Sequence, residues 1–266
     1  MFQRPPFRPA GRWLARRLVL AETLDRDVID RVSGRNAAAN IVGTKGSRTT
    51  RGQAARGFGS THGVGTTDII TTPLSANSIY RTYIHDVLIS GPGGNSVGRV
   101  WDKDLGSEFC YYNAASSALA YSRTFGGGQG IWRTATNSAT SGNRYVFAIT
   151  FDSSSAANNP LMYLNGQPVA VTEDGDPVSG STTDNSDPIT IGNRISDSAR
   201  NWDGRIRRMY VFNSILTAGE ILELSTDMDR LFEPIQPAMV FNVPSAGAFN
   251  AAWARQRSSI IGAGLR

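Results

Sequence analysis

The sequence predicts an all-β fold, an antiparallel jelly-roll β-sandwich with one short helix near 218–228 and extended N- and C-terminal arms. Three observations carry this expectation. Short β-rich runs recur at close spacing from residue 79 onwards, separated by Gly and Ser/Thr clusters, a pattern of sandwiches and barrels. Gly numbers 28 and charged residues make up only 18%, which suits a turn-rich β protein better than a helical one. No helix-length amphipathic pattern interrupts the runs. At 266 residues the chain is long enough for one large domain plus tails. The expected organisation is a basic arm over 1–16, a sandwich over 17–232 and a Pro-containing tail over 233–266.

In chain order, residues 1–11 set Pro5, Pro6 and Pro9 among Phe2, Phe7, Arg4 and Arg8. Proline forbids a regular ladder, so this is an extended arm. Its phenylalanines need a surface to cover, either a neighbouring subunit or the chain's own sandwich. Residues 13–20 end in Leu-Val-Leu and are the candidate first strand, while 22–31 read as a short helix or a polar loop. Residues 34–65 are rich in Gly, Thr and Arg, with 54–58 as a short strand and 68–72 after it. The run 79–89 is long and β-rich, and Gly91-Pro92-Gly93-Gly94 stops it. Strands are expected at 97–101, 108–113, 119–125 and 131–136. Tyr145, Phe147, Ile149 and Phe151 alternate with smaller residues and define the core face of a central strand. Asn165-Gly166, between 161–164 and 169–171, is the favoured two-residue type I′ hairpin, because both residues tolerate positive φ.

The sharpest signals lie between 189 and 224. Ile189-Thr190-Ile191-Gly192 is a short β run, and Trp202-Asp203-Gly204 is a turn feeding a strand over 206–212. Apolar Ile206, Met209 and Val211 break the period of two, and one extra residue near Arg207-Arg208 restores it, predicting a β-bulge. Thr217-Ala218-Gly219-Glu220 has capping-box spacing, with Leu216 and Ile221 at the staple positions, so the helix is predicted from 218 to 228. Beyond Arg230, Pro234, Pro237 and Pro244 argue against a further sandwich strand.

These motifs resemble a known family. Ile-Gly-Asn-Arg (191–194), Trp-Asp-Gly-x-Ile (202–206) and Met-Tyr-Val-Phe-Asn (209–213), followed by Leu216 and Glu220-Ile221, resemble the C-terminal half of a laminin-G-like domain of the concanavalin A-like lectin/glucanase fold. Upstream, Tyr-Val-Phe-Ala-Ile-Thr-Phe-Asp (145–152) is similar to its central strand and Met-Tyr-Leu-Asn-Gly (162–166) to its Tyr-x-Asp-Gly hairpin. Asn165 stands where many members have Asp, and Arg207 where many have an acidic residue, so no acidic-site chemistry is carried over. The resemblance implies a fold more than a function. The opening stretch 11–20 and the tail from Ala251 are similar in pattern to the ends of bacteriophage- and prophage-encoded laminin-G-like proteins. That likeness implies a virion protein made in a bacterial host cytoplasm.

Charge is distributed unevenly. Residues 1–57 hold eleven Arg and Lys45 against Glu22, Asp25, Asp27 and Asp30, a net of +8; residues 58–250 are net −6, and the last sixteen add +3. The basic ends read either as docking elements for acidic surfaces or as solvated arms. Cys110 is the single cysteine, which excludes an internal disulfide and reads as a buried small hydrophobe. The first twenty residues lack the apolar run and cleavage site of a signal peptide, and nothing in the chain reaches the length of a transmembrane helix. A reducing cytoplasm is the expected place of assembly.

Catalysis finds no support in the pattern. Glu22, Glu108, Glu173, Glu220, Glu223 and Glu233 include no pair at alternating strand spacing, as a retaining glucanase would need. His62 and His85 are too few for a zinc triad. His85-Asp86 on the 79–89 strand reads as a polar strand face rather than a base and its orienter. The chain is therefore expected not to be an enzyme and to require no cofactor. Calcium is the one metal the acidic loops would suit, with Asp174, Asp176 and Asp203 as candidate ligands, although Asp is also an ordinary turn former. Phe2, Phe7, Arg4, Arg8, Trp253, Arg255, Arg257, Ile260, Ile261 and Leu265 are the expected partner-anchoring residues, since a free end would not carry such apolar side chains. The expected function is a structural component of a phage virion, of capsid-decoration, head or tail-fibre type. Its partners would be other virion proteins and copies of itself, with no membrane and no nucleic acid. The alternative is a carbohydrate-binding module for host-surface glycans.

Overall fold

In the computed structural model, residues 17–22, 38–40, 47–49, 52–56, 69–71, 79–103, 107–177, 179–180, 189–194, 200–228 and 231 are described; for Leu20, Glu22 and 38–71 the backbone alone is described. The chain divides into two units, Met1–Glu233 and Pro234–Arg266, and every described residue belongs to the first. In chain order the strands are β1 (Leu18–Glu22), β2 (Ala38–Asn40), β3 (Ser47–Thr49), β4 (Gly52–Arg56), β5 (Ile69–Thr71), β6 (Tyr80–Ile89), β7 (Arg99–Lys103) and β8 (Glu108–Asn113). They continue with β9 (Ala118–Phe125), β10 (Gly128–Thr134), β11 (Arg144–Asp152), β12 (Leu161–Leu164), β13 (Gln167–Val169), β14 (Val171–Gly175), β15 (Ile189–Ile191) and β16 (Gly204–Phe212). Helix α1 (Ala218–Thr226) follows.

Two antiparallel sheets form the expected sandwich. The first runs β13-β12-β11-β6-β16-β4-β3, with β1 also on β16, and the second runs β14-β10-β9-β8-β7-β15-β5-β2. Period-two alternation decides what lies between them. Tyr83, Val87 and Ile89 of β6, Phe147, Ile149 and Phe151 of β11, and Ile206, Met209 and Val211 of β16 point inward to meet Trp101, Cys110, Tyr121 and Trp132 of the second sheet. The opposite face of the first sheet is not solvated. Ile84, Val146, Tyr163, Tyr210 and Phe212 pack under Leu216, Ile221 and Leu224, so α1 forms a third layer. Burying each of those three helix-side chains contributes about 1.5–3 kcal/mol.

The local signals produced the corner as read. Thr217 Oγ1 accepts from the Glu220 N–H while a Glu220 carboxylate oxygen accepts from the Thr217 N–H, completing the capping box. The β16–β6 register shifts between Ile206 and Arg208, which is the bulge. Asn165 (φ 51°) and Gly166 (φ 81°) both take positive φ in the β12–β13 hairpin.

Several boundaries differ for physical reasons. The helix ends at Thr226 rather than 228, because Asp227 leaves helical geometry (φ −146°, ψ 93°) and Met228 turns into the core. The strand expected at 97–101 begins at Arg99, because a 3-10 turn with Asn95 and Ser96 at positive φ occupies the preceding residues. The run expected at 169–171 is two strands. Gln167–Val169 closes the hairpin on the first sheet, and Val171–Gly175 crosses to pair with β10 in the second. The expected strands 13–20, 54–58 and 68–72 appear as Leu18–Glu22, Gly52–Arg56 and Ile69–Thr71, and the segment 23–31 lies outside the described residues. No helix among the described residues is long and apolar enough to cross a membrane.

Candidate functional site

Helix α1 covers one sheet, and on the second the outward side chains carry a set of charged and aromatic groups. Antiparallel register aligns its outward side chains in rows. One row is Arg99 (β7), Tyr111 (β8), Ala120 (β9) and Arg133 (β10); the next is Asp102, Phe109, Ser122 and Ile131. Small residues on β9 make the floor, with Ser122 Oγ donating to the Gly130 carbonyl at 2.9 Å. At one side, the Arg99 guanidinium lies 3.4 Å over the Phe109 ring and 5.1 Å from the Tyr111 ring, with its Nε 3.3 Å from Asp102 Oδ2. Burial pushes Arg99 down to about 10; Asp102 opposes this, while Arg200 and Arg194 reinforce it. Cation–π contact in such a desolvated place is worth about 2 kcal/mol.

At the other side Arg133 Nε donates to Asp174 Oδ2 at 2.6 Å and its Nη1 donates to Thr136 Oγ1 at 3.0 Å. Both members of this pair remain partly exposed, at 19% and 34% of their side-chain surface. Tyr111 lies between the two arginines, its phenol held above its ordinary range by burial and acted on by Arg99, Asp174 and Arg133. Its hydroxyl makes no hydrogen bond among the described residues. The result is a largely buried phenol in one outward row with a partly exposed guanidinium that is paired to a partly exposed carboxylate, all on a rigid sheet.

Two further charged groupings lie off this face. Between the sheets, Glu108 is fully enclosed. Its Oε2 accepts from Arg81 at 2.6 Å and faces Arg123 Nη1 at 2.7 Å, and its Oε1 accepts from the Tyr83 and Tyr121 hydroxyls at 2.7 and 2.6 Å. Burial alone would raise the Glu108 carboxyl, but Arg123, Arg81 and the two phenols together hold it down to about 2. On the helix side of the first sheet, Asp86 accepts from Arg144 at both oxygens, at 2.6 and 2.7 Å, and from Arg207 at 3.0 Å. His85 and Asp86 are thus not a polar strand face, as expected, but a fully buried pair pointing to opposite sides. His85 stacks among Tyr83, Trp101 and Phe147, where burial drives its pKa to about 3. Cys110 is buried, and burial pushes its thiol up.

Of the residues suggested for calcium, Asp174 is the partner of Arg133, Asp176 is exposed beyond the end of β14, and the Asp203 carbonyl accepts from the Ser90 and Gly91 N–H groups. Among the described residues no three His, Cys, Asp or Glu side chains converge as a metal would require. Phe2, Phe7, Arg4, Arg8, Trp253, Arg255, Arg257, Ile260, Ile261 and Leu265 lie outside the described residues. The Tyr111–Arg133–Asp174 array escaped the sequence reading. Its one available signal was strand parity, which places Arg99, Tyr111 and Arg133 on the solvent side once Trp101, Cys110 and Trp132 are assigned inward.

Two antiparallel sheets stacked as a sandwich, with one capped helix over one of them, are consistent with a concanavalin A-like jelly roll. The family of laminin G-type sandwiches described as the concanavalin A-like lectin/glucanases superfamily matches residues 88–222, and the chain belongs to it. No curated protein matches the sequence. Among solved structures, Trypanosoma rangeli sialidase in complex with sialic acid is similar at a TM-score of 0.55 and 17% identity, over 82% of this chain and 34% of that one. The same enzyme with 2,3-difluorosialic acid gives a TM-score of 0.54 at 17% identity, over 82% and 34%. A mutant of it displaying trans-sialidase activity gives 0.54 at 17%, over 83% and 34%. The chain spans about a third of the length of these sialidases. These neighbours are enzymes, and they overturn the expectation that the protein is not one: the missing carboxylate pair speaks only to glucanase-type chemistry, and the sandwich also occurs within enzymes. At 17% identity the likeness itself shows the fold alone.

Proposed function

We propose that the protein binds carbohydrate on the outer face of the second sheet, at Tyr111, Arg133 and Asp174. The observation that carries this is the Tyr111 hydroxyl, which has no hydrogen-bond partner among the described residues and shares an outward row with Arg133. A sugar hydroxyl donates one hydrogen bond and accepts others. It can donate to the free oxygen of Asp174 while accepting from Arg133 and Tyr111. Rigid strands fix these groups before the ligand arrives, so little side-chain entropy is lost on binding. Membership of a lectin-type superfamily supports the same reading.

The test is a glycan array probed with the wild-type protein and with Arg133→Ala, each with and without calcium. Binding to at least one host-surface polysaccharide is expected, with Arg133→Ala weakening it by about tenfold or more through loss of charge-assisted bonds. An empty array under both conditions would remove the proposal.

A second reading rests on the two ends of the sequence. Residues 1–16 combine Phe2, Phe7, Arg4 and Arg8, and the tail combines Trp253, Ile260, Ile261 and Leu265 with Arg255 and Arg257. We infer that they fix the sandwich to neighbouring subunits, in keeping with the likeness of these ends to phage-encoded proteins. On this reading the particle carries the glycan-binding face outward. Deleting residues 248–266 is expected to abolish incorporation into particles while leaving glycan binding intact. Unchanged incorporation would exclude the tail as the anchor.

A further inference from the structure

Among the described residues five large apolar side chains are exposed: Ile79, Tyr80, Leu161, Ile215 and Leu222. Three of them gather on the helix side of the first sheet, where strand register and the corner before α1 place them. Leu161 shares a row with Thr150 and Thr82. Thr82 Oγ1 donates to the Ser214 carbonyl and accepts from the Leu216 N–H, which sets Ile215 over the end of that row. Two residues along β12, Tyr163 lies opposite Pro168 on the same face. Leu222 closes the strip, packed so closely on Gly166 that a Cβ there would lie 2.9 Å from the Leu222 Cα. Leu161 is 59% exposed, Leu222 42% and Ile215 36%, and Pro168 is exposed as well. Apolar side chains clustered in this way mark a surface for another protein segment, whereas scattered ones need no explanation.

The strip's construction selects what fits it. Strand β12 is paired on both sides, with β11 and β13, so an occupant gains there by covering side chains rather than by adding a strand. A proline-containing segment suits this, since it holds an extended conformation at little entropic cost and lacks the N–H groups a new strand would need. Residues 1–16 are such a segment, with Pro5, Pro6 and Pro9 among Phe2, Phe7, Trp13 and Leu14. They also begin beside the strip. Arg17 Nη2 donates to the Ile215 carbonyl at 2.7 Å, its Nε donates to Ser214 Oγ at 2.6 Å, and its own carbonyl accepts from the Asn213 N–H. Read toward its N-terminus, β1 runs from the Met209 level of β16 to the Phe212 level and leaves the sheet there, heading away from Pro168 and Leu222. At ~3.1 Å per residue in a proline-rich chain, the segment spans about 50 Å, enough to cross to another molecule.

We propose that the strip formed by Leu161, Pro168, Ile215 and Leu222 seats residues 1–16 of a second copy of this chain, which rests on the reading that the ends join neighbouring subunits and names the surface that receives one of them. Two copies exchange arms about a two-fold axis, each arm leaving beside one strip and covering the other. Exchanging an identical element between protomers is a low-cost route to a dimer.

Sedimentation of the full-length protein over a range of concentrations tests this, beside Leu161→Asp and the double variant Phe2→Asp/Phe7→Asp. Wild type is expected to form dimers, and each variant to raise the dimer dissociation constant by about tenfold or more while keeping the circular dichroism of the folded sandwich. A synthetic peptide of residues 1–16 is expected to bind the double variant saturably, and at least about tenfold more weakly once Leu161→Asp is added to it. Dimers undiminished in Leu161→Asp but lost in the double variant would keep the arm as an anchor and overturn this seat for it. Dimers undiminished in both would overturn the arm's part in joining subunits as well. A monomeric wild type would overturn the exchange, and peptide uptake by the double variant would then place the arm on its own strip. Should Leu161→Asp not fold, Leu222→Gln takes its place, and undiminished association there decides against the proposal.

Discussion

Glu108→Gln is expected to lower the free energy of unfolding by about 3–5 kcal/mol, because it removes the charge of a carboxylate that two guanidiniums share in the sandwich interior. The geometry makes this the largest effect expected among the described residues. All four hydrogen-bonding positions of the carboxylate are occupied, by Arg81, Arg123, Tyr83 and Tyr121, and none of the ionic partners is more than 5% exposed. An amide cannot accept at its nitrogen, and it carries no charge. Replacing Glu108, Arg81 and Arg123 together by apolar residues should cost far less, since the desolvation of three charges disappears with their attraction. Urea unfolding of the single and triple variants measures both. A loss below about 1 kcal/mol in Glu108→Gln would show that the cluster is not the ionic hub described.

The same carboxylate sets the acid limit of the fold. Its folded pKa, about 2, lies below the ordinary 4.5 of an unfolded chain, so its contribution is complete above 4.5 and is lost as pH falls toward 2. His85 acts in the same direction over a higher window. Kept neutral by burial, it titrates at about 3 when folded against 6.5 when unfolded, so the unfolded chain takes up the extra proton and stability declines below 6.5. Unfolding free energy should fall in two overlapping steps on acidification. His85→Phe should remove the upper one, and Glu108→Gln the lower.

Asp86→Asn is the second large effect, an expected loss of about 3 kcal/mol. Asp86 is fully buried, and Arg207 and Arg208 retain only 7% and 6% of their side-chain exposure, so their charges would be left in a poorly solvated place. Arg144 is 41% exposed and can turn to water, which keeps the loss below that at Glu108. Thermal unfolding of Asp86→Asn beside Arg144→Gln separates the two contributions; equal, small shifts would contradict a buried hub at Asp86.

What could be read from the sequence was local. The Thr217–Glu220 cap, the Asn165-Gly166 turn and the bulge at Arg207-Arg208 each follow from residues within a few positions of one another. The charged centres are not local. Glu108 meets Arg81 across 27 residues and Tyr83 across 25, and only the stacking of one sheet on the other brings them together. Strand parity held a partial clue, since Glu108 shares its face with Cys110 and Tyr112, both core residues. Asp174 was legible as an acidic loop residue suited to calcium. Its partner Arg133, 41 residues away, became visible only once β14 crossed to the second sheet and paired with β10.

The central claim is that the Tyr111–Arg133–Asp174 face binds saccharide, and an NMR titration of the best array glycan against isotope-labelled protein tests it most directly. Saturable shifts are expected at Tyr111, Arg133, Thr172 and Asp174 on the outer face of β8, β10 and β14, weakened in Tyr111→Phe and abolished in Arg133→Ala, with both variants folded. Shifts confined to the helix side of the sandwich, or undiminished in Arg133→Ala, would contradict it.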